Sequence, residues 1–144
     1  MHTRLQFLLV LALASCIPHA AAQTATITSS VNVRAGPEKF FPTVTWLLGG
    51  TSVTVTGCTA NWRWCDVTAG RDRGWVYARF LSYPFNGSAV AVANGGPKLG
   101  LPQVDFSLGP YWDENYRGQR WYAQKAGYQR RWDQRPPPRP WRER

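Results

Sequence analysis

Residues 51–67 read TSVTVTGCTANWRWCDV. In the first half, Val53 and Val55 alternate with Thr54 and Thr56, the two-residue period of a strand that buries one face. Gly57 to Asn61 breaks the pattern with turn-forming residues, and Trp64-Cys65-Asp66-Val67 is apolar and β-prone again. A strand, a tight turn and a return strand bring Cys58 and Cys65 together at a hairpin. Their C-x6-C spacing suits a structural disulfide with Cα atoms about 4.4–6.8 Å apart. It lacks the C-x-x-C form of a redox pair.

The same punctuation continues on both sides. Upstream, Thr26-Ile27-Thr28 and Val31-Asn32-Val33 are β-prone, and Ala35-Gly36-Pro37 turns the chain. Phe40-Phe41-Pro42 opens an extended piece that runs to Leu48 before Gly49-Gly50. Downstream, Ala69 to Arg73 is a turn and Gly74-Trp75-Val76-Tyr77 a last strand. About five short strands at this spacing predict an all-β fold, a small barrel rather than a parallel sheet. About 60 residues bury little surface, so a disulfide staple makes physical sense.

The series Asn32-Val33-Arg34-Ala35-Gly36-Pro37, Phe41-Pro42, Leu47, Gly50-Thr51, Val53-x-Val55, Trp64-x-x-Val67, Gly74-Trp75-Val76 and Phe80-Leu81 resembles the bacterial SH3 domain family. The hairpin with its two cysteines is similar to an exported, disulfide-bearing subset of that family, and Phe106 to Tyr122 looks like the tail of such proteins. The resemblance implies an SH3-like barrel over residues 23–82, a binding module for peptides, often of the cell wall, and no catalysis of its own.

The beginning of the chain reads as an export signal over residues 1–22. Arg4 supplies a positive start, Leu5 to Leu13 is apolar apart from Gln6, and Ala20-Ala21-Ala22 offers a cleavage site before Gln23. Leu13-Ala14-Ser15-Cys16 also resembles a lipobox, in which Cys16 would carry lipid. The bulky Ile17 and the Ala-rich ending favour ordinary cleavage, hence a periplasmic or secreted protein without a transmembrane helix in its mature part. Cleavage leaves two cysteines, an even count that suits an oxidising compartment.

Both histidines, His2 and His19, lie in this leader. The remainder therefore lacks the base of the Ser-His-Asp and Cys-His systems and the imidazoles of common zinc sites. Its carboxylates, among them Asp66, Asp72, Asp105 and the adjacent Asp113 and Glu114, show no pairing pattern. No enzyme activity, cofactor or metal is expected.

Residues 83–110 are rich in Pro, Gly, Ala and Ser and read as a linker, with room for a short strand over Ser88 to Ala93. Residues 111–144 hold nine Lys and Arg against four Asp and Glu, together with four of the eight Trp. They read as a basic, aromatic, proline-rich and mostly disordered tail, although Trp112 and Tyr116, and Tyr128 and Trp132, stand at helical spacing. Arg117, Arg120, Arg130, Arg131, Arg135 and Arg139 are its candidate anion contacts, interleaved with Trp112, Trp121, Trp132 and Trp141. On the barrel, Arg34, Trp46, Trp62, Trp75 and Tyr77 are the candidate ligand contacts. Arg34 has a structural alternative, bracing its turn through backbone carbonyls. Trp75 is expected on the face opposite Val76, in a groove or over a barrel end. The expected partners are a wall peptide or an envelope anion: peptidoglycan, lipopolysaccharide or lipid head groups. A periplasmic adaptor using the proline-rich end to hold a protein partner is the alternative, and export disfavours nucleic acid.

Overall fold

The computed structural model describes residues 23–140. The leader with Arg4, Cys16 and its cleavage site lies outside the described residues, as does Trp141. The strands are β1 (Thr24–Ile27), β2 (Val31–Arg34), β3 (Thr43–Leu47), β4 (Ser52–Cys58), β5 (Trp64–Ala69), β6 (Asp72–Tyr77), β7 (Leu81–Phe85) and β8 (Ser88–Ala91). They form one antiparallel sheet in the order β3-β2-β6-β5-β4-β1-β7-β8. Strands distant in that order share one core. Val31 and Val33 of β2 meet Ile27 of β1, Val53 and Val55 of β4, Val67 of β5, Val76 of β6 and Leu81 of β7. The sheet is therefore curled around its own apolar face, the SH3-like all-β architecture that the strand pattern predicts.

Strand β4 shows the expected alternation, with Val53 and Val55 buried between exposed Ser52, Thr54 and Thr56. A bulge then intervenes. Pairing with β5 passes from Val55 opposite Val67 to Gly57 opposite Asp66, leaving Thr56 as the extra residue. Without that slip Cys58 would face Trp64; with it, Cys58 stands directly opposite Cys65. The two are disulfide-bonded with Cα atoms 4.0 Å apart, closer than the expected range. The reason is the kind of pair. The Cys58 N–H donates outward to the Pro102 carbonyl at 2.8 Å, and its carbonyl accepts from the Val104 N–H at 2.9 Å. Facing residues that do not bond each other approach most closely.

Residues 83–110 are not a linker. Asn86-Gly87 is a two-residue hairpin turn with positive φ at both positions (48° and 77°), joining β7 to β8. Asn and Gly together are the strongest short hairpin signal, because both tolerate that backbone region. Helix α1 (Val92–Gly95) and a 3-10 turn over Gly96–Leu99 follow, and Val92, Leu99 and Leu101 enter the barrel core.

The tail is likewise ordered across most of its described length. Helix α2 (Leu108–Asn115), a 3-10 turn over Arg120–Gln124 and helix α3 (Lys125–Asp133) bring its rings onto the barrel. Polar composition suggested disorder, but the aromatic residues are spaced to share faces of short helices. Phe41 and Ala35 on the barrel supply the apolar surface that those faces need.

Candidate functional site

Along β6, Val76 faces the core and Trp75 the opposite side, as the strand period requires. Trp75 is nevertheless 1% exposed. Phe106 and Tyr111 lie against it, with ring centres at 5.6 Å and 6.0 Å. Its neighbour Gly74 is where the sheet leaves no space: a Cβ there would sit 2.6 Å from the Arg34 carbonyl and 3.2 Å from the Tyr116 hydroxyl. A glycine in the G-W-V sequence thus lets β2 and the tail close over β6.

Three directed hydrogen bonds fix α2 and its C-cap onto this face. Trp112 Nε1 donates to the Ala35 carbonyl at 2.8 Å, Tyr116 Oη to the Arg73 carbonyl at 2.7 Å, and Tyr111 Oη to Asp66 Oδ1 at 2.7 Å. Asp66 is buried but fully engaged, because Arg73 Nη2 also donates to its Oδ2 at 2.7 Å. Burial raises the ionisation of both phenols well above the usual tyrosine range, and the bond to Asp66 holds the Arg73 guanidinium firmly protonated. Trp75 Nε1 is buried without a partner among the described residues.

The tail arginines serve this packing in several cases. Arg117 Nε donates to the Asp113 carbonyl, Arg131 lies 4.5 Å from the Phe40 ring centre, and Arg135 covers Trp132 and donates to its carbonyl. Lys125 Nζ pairs with Asp113 at 2.6 Å, holding its carboxyl below and the ammonium above their usual ranges. Arg120 and Arg130 are exposed. Arg117, Arg131 and Arg139 are exposed as well, and among the described tail arginines only Arg135 is half-buried, so the backbone that carries these cations is folded while most of their side chains face solvent. Of the tail tryptophans within the described residues, Trp112 is buried and Trp121 and Trp132 are half-buried.

The sequence candidates on the barrel are scattered. Trp62 is 2% exposed and packs in the barrel core from a left-handed backbone conformation (φ 56°). Trp75 lines none of the clefts described below, whereas an edge of Trp62 contributes to the wall of the larger one. Trp46 is exposed on edge strand β3 beside exposed Leu48. Arg34 donates from Nη1 to the Phe41 carbonyl at 3.1 Å, the bracing role, yet also lines a cleft that includes Tyr77.

That cleft, about 330 Å³, is walled by Arg34, Lys39, Trp64, Tyr77, Arg79 and Phe80 together with residues 30–32. A larger one, about 900 Å³, adjoins it across Tyr77 and Arg79 and is lined by Arg63, Asn61, Asn94 and Arg139 among others. Tyr77 is the ridge between them. Lys39 Nζ and the Arg63 guanidinium each lie 5.8 Å from its ring centre, Trp64 meets it edge-on at 4.8 Å, and Arg63 Nη2 donates to its hydroxyl at 2.7 Å. Among the described residues, no Asp or Glu lines either cleft. Lys39, Arg63, Trp64, Arg79 and Phe80 escaped the sequence reading. Two of them were within reach: a two-residue turn at Gly70-Arg71 puts Trp64 opposite Tyr77, which places neighbouring Arg63 at the same rim.

Among the described residues, no group of three His, Cys, Asp or Glu gathers as a metal site, and no helix is long and apolar enough to cross a membrane. No curated protein and no solved structure matches the chain. Residues 29–82 match the bacterial SH3 domain family, from the turn before β2 into β7, the part of the curled sheet that carries the cross-strand disulfide.

Proposed function

We propose that the protein is an exported, non-catalytic binding module that holds a carboxylate-bearing wall peptide in the cleft beside Tyr77. The observation that carries this reading is the composition of that cleft: Arg34, Lys39 and Arg79 around Trp64, Tyr77 and Phe80, with no acidic side chain in its lining among the described residues. Rings give flat apolar contact to an extended peptide, and guanidinium and ammonium groups take its carboxylates. The match of the barrel to the bacterial SH3 family supports a binding role, often toward cell wall. The reading uses Arg34 and Tyr77 from the sequence candidates and sets aside the buried Trp62 and Trp75.

The test is co-sedimentation of the full chain with purified peptidoglycan sacculi across a salt series. Retention should fall several-fold for Tyr77→Ala and for Lys39→Gln, with unchanged circular dichroism. Its salt dependence should also be shallower in Lys39→Gln. Equal retention of both variants and the unaltered protein would move any wall contact elsewhere, with exposed Trp46 as the next candidate.

A further inference from the structure

The 900 Å³ cleft is lined by three arginines from separate parts of the fold. Arg63 comes from the β4–β5 turn, Arg79 from the short 3-10 turn after β6, and Arg139 from the proline-rich segment after α3. Arg63 is tied at the rim by its bond to the Tyr77 hydroxyl. Arg79 lies 5.1 Å from the Phe80 ring centre. Asn61 and Asn94 add amide groups to the same lining. The oxygen of Asn61 is engaged by Thr59 Oγ1 at 2.6 Å and the Arg63 N–H at 3.2 Å, so its remaining polar capacity is a donor.

Three like charges brought to one cleft from distant points in sequence, with no carboxylate lining it among the described residues, repel one another until an anion arrives. One guanidinium fork satisfies a carboxylate. Several guanidinium groups lining one cleft suit a phosphate, which offers more acceptor oxygens and up to two charges. Its volume, far above that of a lone ion, and its asparagines suit the polar group that carries the phosphate.

We infer that this cleft is a phosphate-ester site, taking a phosphorylated head group between Arg63, Arg79 and Arg139, with the proline-rich segment as its third wall. The site depends on the binding-module reading only for where such a ligand would be met. It is separable from the peptide cleft, because of the two clefts Arg63 and Arg139 line only this one, Lys39 only the other, and Tyr77 and Arg79 both.

The experiment is titration of the full-length protein at low salt with glucose 6-phosphate, and with glucose and acetate as controls, followed by calorimetry. Co-sedimentation with phosphatidylglycerol vesicles, against phosphatidylcholine, forms the second arm. Arg63→Gln and Arg139→Gln should each weaken phosphate binding at least five-fold. The paired change Arg120→Gln with Arg130→Gln, which removes more charge from exposed positions, should leave it intact. Binding of the sugar phosphate alone supports the site with a saccharide source, and binding of anionic vesicles alone supports it with a lipid source. Absence of both, acetate binding as tight as glucose 6-phosphate, or equal losses in the cleft variants and the Arg120/Arg130 variant would overturn it. Lys39→Gln, which lies outside this cleft, should retain phosphate binding while losing sacculi. A failed wall test with an intact phosphate response therefore refutes only the peptide reading.

Discussion

At the scale of single residues, the largest energies sit where a ring is both buried and hydrogen-bonded. Trp112 is 0% exposed and donates to the Ala35 carbonyl. Trp112→Phe keeps much of the packing and should cost about 1–2 kcal/mol, near the net worth of one hydrogen bond plus lost volume. Trp112→Ala should cost about 3–5 kcal/mol. Urea unfolding of the two variants checks the order. The cysteine pair predicts a second number. An eight-residue closed loop restricts the unfolded chain by about 2.5 kcal/mol in the entropic model, so Cys58→Ser should lower stability by that order. Reducing agent should do the same to the unaltered protein and nothing further to the variant. The cysteines and β4 were legible in sequence because period and spacing are local properties. The burial of Trp75 was not, since its cover, Phe106 and Tyr111, lies more than thirty residues away and reaches it through a turn of the chain that no local pattern encodes.

At the scale of elements, α2 is held by the half-buried Tyr111 and buried Tyr116 phenols and an engaged carboxylate, which makes its docking sensitive to alkali. The folded Tyr111 and Tyr116 ionise well above the ordinary phenol value of about 10. Their contribution is complete below that value and is lost as pH rises from it toward their raised folded range, because the unfolded chain gives up its phenolic protons first. Thermal melts between pH 8 and 11 should show the midpoint falling above about pH 10. In Tyr111→Phe the fall should be shallower, from a lower starting stability, since Asp66 then keeps Arg73 as its only described side-chain partner. An alkaline slope unchanged in this variant would place the sensitivity elsewhere. Helical spacing of Trp112 with Tyr116 and Tyr128 with Trp132 was visible in sequence. The surface those pairs needed was not, because it is assembled from Ala35, Phe41 and neighbours on the barrel. The Asn86-Gly87 turn lay in plain view within a small-residue stretch whose composition resembles a linker.

At the scale of the whole molecule, the protein has two apolar centres, one inside the curled sheet and one between its outer face and the tail. Truncation after Pro110 removes Trp112, Tyr116, Tyr128 and Trp132 and uncovers Phe41 and Trp75. The shortened protein should show a red-shifted tryptophan emission, bind a hydrophobic dye and melt at a lower temperature. An unshifted melt would mean that the tail rests on the barrel without stabilising it. The bonds that seat the tail join residues far apart in sequence: Ala35 with Trp112, Asp66 with Tyr111, Arg73 with Tyr116. Closing such long loops comes late in folding. The barrel, stapled by its short disulfide loop and paired mostly between neighbouring strands in sequence, should form before the tail docks. That order would leave a transient species with a bare aromatic face, and a chain delivered N-terminus first would keep that face bare until α3 had followed it. Its yield should therefore depend on concentration during refolding, with losses by clumping concentrated in that interval and suppressed by dilution or by any agent that shields aromatic surface.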